Sequence, residues 1–228
     1  MIEYKTNLLK DYKITSANSM IAAVNAFLKF ANWNDCCVKQ YKVQRNVYYP
    51  EEKELTKNEY YRLVKTARSD NERLSLIIQT ICGIGIRVSE MQYITVESVR
   101  RGEAVVNCKG KLRIILITNN LKRKLLEYAK KNGINQGIIF RTRNGKPINR
   151  CNIWRDMKAL CKKAGVNPKK VFPHNLRHLF ARTFYGIEKD IVKLADILGH
   201  SSIDTTRIYV LTKCNEHKKR MENMKLIL

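Results

Sequence analysis

The sequence has no run of 18 apolar residues, and its first residues do not open a signal peptide. We therefore expect neither a membrane-spanning helix nor a secretory leader. Acidic residues are scarce: 20 Asp and Glu stand against 44 Lys and Arg, which gives a net charge of +24. This excess favours a polyanionic partner. Because the basic residues recur along the whole chain, they suit a groove that follows a phosphate backbone.

Cysteine pairs with a metal-binding spacing are also absent. The seven cysteines form neither a CxxC pair nor a Cys/His zinc pattern; they are Cys36, Cys37, Cys82, Cys108, Cys151, Cys161 and Cys214. Their number is odd, which does not favour a disulfide framework. We expect no zinc site, and reduced thiols in the cytosol, several of them buried.

The first 55 residues predict one good helix and a connecting segment. Thr15 is a suitable N-cap for a helix whose apolar residues recur with the helical period: Met20, Ile21, Val24, Phe27, Leu28 and Ala31. A single helix cannot bury its own apolar stripe, so it must pack on something else. Residues 34–55 are predicted to be a linker. It is either a solvated connection or a path along DNA through Lys39, Lys42 and Arg45.

A second domain is predicted to open at the capping box Thr56-Lys57-Asn58-Glu59. Helical periods follow at about 57–67, 71–83, from Ile86, after Thr95, 120–131, from Asn149, 174–185, 188–198 and after Ser202. Strand patterns occur at 104–108 and 112–117, joined by a tight hairpin at Lys109-Gly110-Lys111, and at 138–140 before a turn at Asn144-Gly145. With 44% hydrophobic residues the chain can bury a core. We predict a mainly α fold with a small antiparallel β-sheet.

Two helices in the last third carry predicted apolar faces. The helix from Asn149 carries Ile153, Trp154, Met157, Leu160 and Cys161, and the helix at 188–198 carries Ile187, Ile191, Leu194, Ala195 and Leu198. Gly199 is expected to end the second helix.

Suitable groups for phosphoryl transfer without a metal are concentrated between Pro173 and Tyr209. This segment contains His174, Arg177, His200 and Tyr209. A phosphodiester needs donors that hold its oxygens and a nucleophile that attacks its phosphorus. Guanidinium, imidazole and phenol groups meet these requirements. Each residue taken alone has an ordinary structural explanation, but the set does not.

The order and spacing of these motifs resemble the tyrosine recombinases, or phage integrase family, and most of all the Xer-type and mobile-element integrases of bacteria. The resemblance covers about residues 15–228. Its motifs are Gly85-Ile86-Arg87-Val88-Ser89-Glu90, the Lys109 hairpin, His174-Asn175-Leu176-Arg177, Leu198-Gly199-His200, and Tyr209 nine residues after His200. The resemblance implies a catalytic domain at 56–214 and a site-specific DNA recombinase that acts in integration or excision of a mobile element. A type IB topoisomerase, or a truncated paralogue that binds DNA without recombining, are the alternatives.

The resemblance also assigns a role to each residue of the motifs. Arg87 and Arg177 would bind the non-bridging phosphate oxygens, since each guanidinium offers a rigid fork of donors. Tyr209 would be the nucleophile and form a 3′-phosphotyrosyl intermediate. A free phenol, with a pKa of about 10, needs a nearby positive charge or a proton acceptor to become reactive. His174 would take its proton or donate to a phosphate oxygen, and His200 would be a phosphate donor.

The hairpin lysine has the remaining catalytic role in the family. Lys109, with Lys111 as the alternative, would protonate the leaving 5′-oxygen, helped by neighbouring cations that lower its pKa. Glu90 would brace the Arg87 loop, whereas His178 and His217 are expected to be structural. The cationic side chains would replace the metal used by other phosphoryl transferases, and no ATP is needed because the phosphotyrosyl ester retains the energy of the broken diester.

The resemblance sets further expectations for assembly. Residues 1–33 match only the second half of a four-helix core-binding domain, which indicates either truncation or a minimal version. Residues 215–228 resemble the C-terminal helix, which docks on a neighbouring protomer or on its own domain. We expect double-stranded DNA sites as substrate, a tetramer on DNA and a monomer or weak dimer off it, possible accessory proteins, and a place in the bacterial cytoplasm with the nucleoid. Further DNA-binding candidates surround the Asn144-Gly145 turn: Arg141, Arg143, Lys146 and Arg150.

Overall fold

The computed structural model of the protein describes residues 1–43, 52, 54–108, 111–200, 202–210 and 222–224. The chain forms two compact units, Met1–Val47 and Tyr48–Leu228. The α-helices are α1 Ile2–Asp11, α2 Ile14–Phe30, α3 Lys57–Asp70, α4 Glu72–Ile84, α5 Val96–Arg101, α6 Asn119–Lys131, α7 Arg150–Ala164, α8 Pro173–Glu188, α9 Ile191–Leu198 and α10 Ile203–Val210. The strands are β1 Glu103–Cys108 and β2 Lys111–Leu116, and short 3-10 helices lie at Asn34–Cys36, Val88–Tyr93 and Pro168–Lys170.

The first unit is a pair of helices closed by the segment that follows them. Leu8 of α1 packs with Ala17 and Ile21 of α2, and all three are buried. The segment after the 3-10 helix returns along α2, where the Asn25 side chain bonds the backbone of Val38 at both its N–H and its carbonyl. The beginning of the predicted linker is therefore packed on α2.

Two expectations for α2 are wrong. The helix begins at Ile14 after Lys13 and has no side-chain cap, so Thr15 lies inside the first turn. Phe27 is 60% exposed although it was assigned to the buried stripe, because only the face through Ala17, Ile21 and Leu28 is covered. The Arg45 position of the linker lies outside the described residues.

The second unit is built around α4, which is buried along most of its length. Leu74, Ile77, Ile78 and Ile81 enter one large apolar core to which α3, α6, α7 and α8 contribute. The predicted capping box is confirmed, since the Thr56 hydroxyl accepts from the Glu59 N–H while the Glu59 carboxylate accepts from the Thr56 N–H. Such reciprocal caps satisfy donors that a helix start otherwise leaves without partners.

A two-stranded antiparallel sheet flanks this core. Its register runs from the Glu103–Leu116 pair to the Cys108–Lys111 pair. Ala104, Val106 and Ile115 face inward and are buried, whereas Leu112 and Ile114 face outward. The predicted fold class, mainly α with a small antiparallel sheet, is confirmed. The expected strand at 138–140 is wrong: Ile138 makes only an isolated bridge to Thr95, and Ile139 and Phe140 are core residues.

Two residues separate α8 from α9. Lys189 follows α8 in the left-handed region (φ 59°), and Asp190 caps α9 through the N–H groups of Val192 and Lys193. Ile187 therefore belongs to α8 and is 77% exposed, not part of the α9 stripe. Gly199, at φ 63°, ends α9 as predicted.

Three other expectations concern the Ser202 cap, the buried face of α7 and the C-terminal helix. The Ser202 hydroxyl accepts the Asp204 N–H at 3.2 Å, as expected of a cap for α10. Trp154 is 50% exposed, so it is not part of the buried face of α7. Of the predicted C-terminal helix at 215–228, only Glu222–Met224 are described, and the prediction otherwise lies outside the described residues. In the described ranges, no helix is long and apolar enough to cross a membrane.

Candidate active site

Tyr209 of α10 faces the start of α8. Its hydroxyl lies 3.3 Å from Nε2 of His174, which is the second residue of α8. The ring of Tyr209 also lies against the rings of His178 and His200, with centroids 5.3 and 5.4 Å away. Tyr209 is only 4% exposed, whereas His174 is open to solvent on one side. The phenol is therefore surrounded by imidazoles, one of which is within reach of its proton.

Arg177 crosses the interior beneath this cluster. It follows His174 by three residues, one helical turn, and is 2% exposed. Its Nη1 donates to the Gly85 carbonyl at 2.6 Å, and its Nη2 donates to the Leu198 carbonyl at 2.6 Å and lies 3.0 Å from His200 Nε2. A planar guanidinium can make these contacts at once, whereas the point charge of a lysine cannot.

His200 is held from its other nitrogen by Thr206. Nδ1 lies 2.8 Å from the hydroxyl of Thr206, which is fully buried on α10. Since Arg177 has only donors, Nε2 accepts from it in this arrangement and Nδ1 carries the hydrogen that Thr206 accepts. Arg177 therefore selects the tautomer of His200, and Thr206 fixes the orientation of its ring.

Arg87 reaches the same turn from another element. It precedes the 3-10 helix, and its Nη1 donates to Glu90 Oε1 at 2.8 Å while its Nη2 donates to the Gly199 carbonyl at 3.1 Å. Glu90 also accepts the backbone N–H of Arg87, which agrees with the expected bracing role. The Arg87 side chain is 37% exposed, so it keeps donors open toward solvent.

Gly85 allows this close approach. It ends α4 in the left-handed region at φ 63°, and a Cβ added there would lie 2.5 Å from a ring carbon of Phe180 on α8. Only glycine combines this dihedral angle with this contact. Gly85 thereby lets the chain turn toward Arg87 while its own carbonyl accepts from Arg177.

The sequence did not single out Arg113, which joins the same network. Its Nη1 donates to both oxygens of Glu90, at 2.8 and 3.1 Å, and its Nε and Nη2 both donate to the Ile197 carbonyl. The alternation of side chains along a strand could have identified it, because Arg113 is two residues from Ile115 and therefore shares the inward face of β2. An inward arginine requires a buried acceptor.

Burial and the nearby positive charges lower the pKa values of the imidazoles of the site. Burial, together with the nearby Arg177 and Arg87 charges, lowers the pKa of His200 to about 4. Partial desolvation and the same two guanidiniums lower the pKa of His174. Burial and the charge of Arg87 lower the pKa of Arg177 to about 10, so it stays protonated.

Glu90 remains a carboxylate in this setting. Burial alone would raise its pKa, but the hydrogen bond from the Arg87 backbone and the charges of Arg113 and Arg87 together lower it. Among the described residues, no group of three or more His, Cys, Asp or Glu side chains is arranged to hold a metal ion. Positive charge at the site is carried by the guanidinium groups of Arg87, Arg113 and Arg177.

The sequence pattern of the phage integrase family matches residues 53–216 of this chain. The chain belongs to the phage integrase family. The tyrosine recombinase XerA of Pyrococcus furiosus is 30% identical over 227 residues, which cover 96% of this chain and 77% of that protein. A crystal structure of XerA recombinase matches with a TM-score of 0.65 at 27% identity, covering 100% of this chain and 83% of that one.

A second structure supports the fold. XerH site-specific recombinase, bound to palindromic difH substrate in a post-cleavage complex, matches with a TM-score of 0.77 at 17% identity over 96% of this chain and 68% of that one. The phage integrase family member described here is thus a tyrosine-type site-specific recombinase, as its motifs predicted.

The remaining predicted residues of this recombinase are the hairpin lysines and the DNA-binding candidates. Lys109 lies outside the described residues, as does the side chain of Lys111. The candidates Lys39 and Lys42 are exposed in the first unit. Arg141 is half-buried, and three further candidates beside the Asn144-Gly145 turn are exposed: Arg143, Lys146 and Arg150. Within the described part of the second unit, no hydrogen bond or ion pair links the side chains of Arg141, Arg143, Lys146 or Arg150 to the site.

Proposed function

We propose that this recombinase cuts and rejoins DNA strands at specific sites with Tyr209 as its nucleophile. The observation that carries the proposal is the meeting of the Tyr209 hydroxyl with His174, beside the buried pair of Arg177 and His200. These four residues come from α8, the turn after α9, and α10. No single secondary-structure element would place them together.

In the proposed reaction, the Tyr209 oxygen attacks the scissile phosphorus and its proton passes to His174. His174 can accept it because burial and the nearby arginines lower its pKa, which favours the neutral ring, and because Nε2 already faces the hydroxyl. The bond from phosphorus to the 5′-oxygen breaks, which leaves a 3′-phosphotyrosyl ester and a 5′-hydroxyl. Because Tyr209 is buried in this form, we expect DNA binding to expose its hydroxyl.

Arg87, Arg177 and His200 are the proposed donors to the non-bridging phosphate oxygens. Charge gathers on these oxygens in the transition state, and donors that are already oriented stabilise it without reorganising. Arg87 offers the exposed donors, and Arg177 holds His200 in place. For Nε2 of His200 to donate, the hydrogen bond with Thr206 must reverse, which a threonine hydroxyl can do because it both donates and accepts.

Lys109 is the proposed general acid for the leaving 5′-oxygen, with Lys111 as the alternative. The described strands β1 and β2 end in the Cys108–Lys111 pair, and Lys109 and Gly110 lie between these two residues in the sequence. The ester conserves the energy of the diester, so the 5′-hydroxyl of a second strand can reverse the step. The reaction as proposed uses neither ATP nor a metal ion.

The substrate is proposed to be double-stranded DNA. The net charge of +24 supports a polyanion, and the XerH structure was determined with its difH substrate bound. We further propose a tetramer on DNA, a monomer or weak dimer off it, and possible accessory proteins. Residues 1–33 would act as a core-binding segment, 34–55 as a linker and 215–228 as a docking helix. Integration or excision of a mobile element, in the cytoplasm with the nucleoid, is the proposed setting.

The test is covalent capture. The protein is mixed with DNA fragments that span the ends of its element, quenched with SDS, and compared with Tyr209→Phe and with Tyr61→Phe, a control at a tyrosine that is 61% exposed on α3. We expect a covalent protein–DNA band for wild type and the control and none for Tyr209→Phe. Sequencing the captured DNA then identifies the site.

Three results would contradict the proposal. DNA binding without a covalent band in any protein would favour the alternative of a binder that regulates without recombining. A covalent band with relaxation of supercoiled plasmid, but no strand exchange between two captured sites, would favour a topoisomerase. A covalent band that persists in Tyr209→Phe would assign the nucleophile to another residue.

A further inference from the structure

Arg113 occupies an unusual place for an arginine. It lies opposite Val106 in the middle of the two-stranded sheet, on the face that also carries the buried Ile115. Its side chain is 9% exposed, whereas those of its strand neighbours Leu112 and Ile114 point to solvent. Burying a guanidinium is costly unless acceptors surround it. Its place therefore requires a strong set of partners.

Those partners come from two other elements of the same unit. Nη1 lies between the two oxygens of Glu90, and Nε and Nη2 share the carbonyl of Ile197 at 3.2 and 2.8 Å. Ile197 lies in the last turn of α9, where helix carbonyls lack intrahelical partners and attract cations. Arg113 thus links β2 to the 3-10 helix Val88–Tyr93 and to the end of α9.

Three consecutive carbonyls of this turn bind three different arginines. The Ile197 carbonyl accepts from Arg113, that of Leu198 from Arg177 and that of Gly199 from Arg87. The next residue is His200, so one short turn sets the positions of both proposed phosphate-binding arginines and of the imidazole. The third arginine is the only one of them that no catalytic motif contains.

Glu90 is shared by two of these arginines. Both of its oxygens receive Arg113, while Oε1 also receives Nη1 of Arg87. Without Arg113, the buried carboxylate would have Arg87 as its remaining guanidinium partner. Arg87 could then turn both Nη groups onto Glu90, and its donors would leave the direction of the phosphate. Arg113 prevents this by occupying the carboxylate.

We propose that Arg113 is a positioning residue of the recombination reaction, which keeps the donors of Arg87 directed at the scissile phosphate by sharing Glu90 and by anchoring the turn before His200. The inference rests on the proposed function, because it assumes that Arg87 binds the phosphate. Arg113 itself touches no reacting atom in this scheme. Its effect is on the charge stabilisation of the transition state and not on DNA binding.

The experiment compares Arg113→Ala and Arg113→Gln with Arg123→Ala, a control at an exposed arginine of α6. Single-turnover cleavage is measured at saturating protein on a duplex carrying the captured site. The same duplex is then prepared with a methylphosphonate at the scissile position, where a methyl group replaces one non-bridging oxygen and removes its charge. Arg87→Ala is the reference for loss of a direct phosphate donor, and unfolding midpoints verify that each variant is folded.

We expect both Arg113 variants to bind the duplex within about twofold of wild type and to cleave it slower by a factor of the order of 10 to 100, since small misplacements of catalytic groups cost up to about 100-fold. On the methylphosphonate duplex the ratio of wild-type to variant rate should shrink, as we also expect for Arg87→Ala, because less charge needs stabilising. If Arg113→Ala does not fold, the same two rates are compared for Arg113→Gln alone.

Equal ratios on the two duplexes, or a cleavage rate equal to that of Arg123→Ala, would overturn the role of Arg113. So would a defect confined to DNA binding. If wild type itself forms no covalent band on any captured DNA, the proposed function fails first. The two failures are therefore distinguishable.

Discussion

Replacing Gly199 with alanine tests how tightly the turn before His200 is built. Gly199 has φ 63°, and an added Cβ would contact Cδ of Arg113 and lie 2.9 Å from its Nε. The arginine cannot easily withdraw, because its guanidinium is bound to Glu90 and to the Ile197 carbonyl. Alanine at this position is therefore expected to disturb both the backbone and the arginine network.

The magnitude follows from two contributions. A left-handed alanine costs roughly 1–2 kcal/mol in the free energy of unfolding. Moving Arg113 sacrifices hydrogen bonds between charged or buried groups, which contribute about 1.5–3 kcal/mol. Gly165 supplies a matched control, since it ends α7 at φ 60° with nothing within 4 Å of its added Cβ. Gly165→Ala carries only the first contribution.

The assay is thermal unfolding of both variants beside wild type, together with covalent cleavage of the captured site. At about 2–4 °C per kcal/mol for a chain of this size, the second contribution alone should make Gly199→Ala unfold about 3–12 °C below Gly165→Ala. It should also cleave at least about tenfold more slowly, because displaced catalytic groups lose rate steeply. Equal midpoints and equal cleavage rates for the two variants would refute the reasoning.

Three further predictions concern Thr206, the pair His178 and His200, and Gly85. Thr206→Val removes the hydroxyl that His200 Nδ1 contacts and should slow single-turnover cleavage about tenfold or more, because the imidazole loses its orientation. Thr206→Ser keeps the hydroxyl and should keep most of the rate, and equal rates for the two variants would contradict the positioning role of Thr206. His178 and His200 each have a pKa lowered to about 4 in the folded protein, below the ordinary 6.5. As the pH falls, these histidines therefore bind protons in the unfolded chain before they do so in the folded protein. Their contribution to the free energy of unfolding is complete above pH 6.5 and is lost as the pH falls toward 4. Unfolding midpoints between pH 4.5 and 7.5 measure this slope, and a His178→Gln variant whose slope matches wild type would contradict it. Gly85→Ala should lower the unfolding midpoint by several degrees, since its Cβ would overlap the Phe180 ring, and a wild-type midpoint would show that the ring moves freely.

Local chemistry made much of this fold predictable. Capping residues act on N–H groups within a few positions of themselves, so Thr56, Thr95 and Ser202 revealed where helices begin. Gly199 marked a helix end by its freedom to adopt a left-handed angle. The failures were also local: the helical period could not tell that Ile187 lies beyond the covered part of α8, or that Phe27 faces away from its neighbours.

The sequence by itself determined the family and the predicted chemistry of the site. The order and spacing of its motifs resemble those of the phage integrase family, and that resemblance selects Tyr209 from eleven tyrosines as the predicted nucleophile, together with His174, Arg177 and His200. The same resemblance selects Arg87, which Glu90 braces from the next turn of the same short element.

Only the tertiary structure decided how these groups are held. Arg113 is 23 residues from Glu90 and 84 residues from Ile197 along the chain, and no local pattern encodes contacts at such separations. Thr206 carries no signal of its role until α10 folds against His200. Hydrogen bonds depend on distance and angle in space, so the partners of a buried guanidinium are fixed when β2 and α9 pack together.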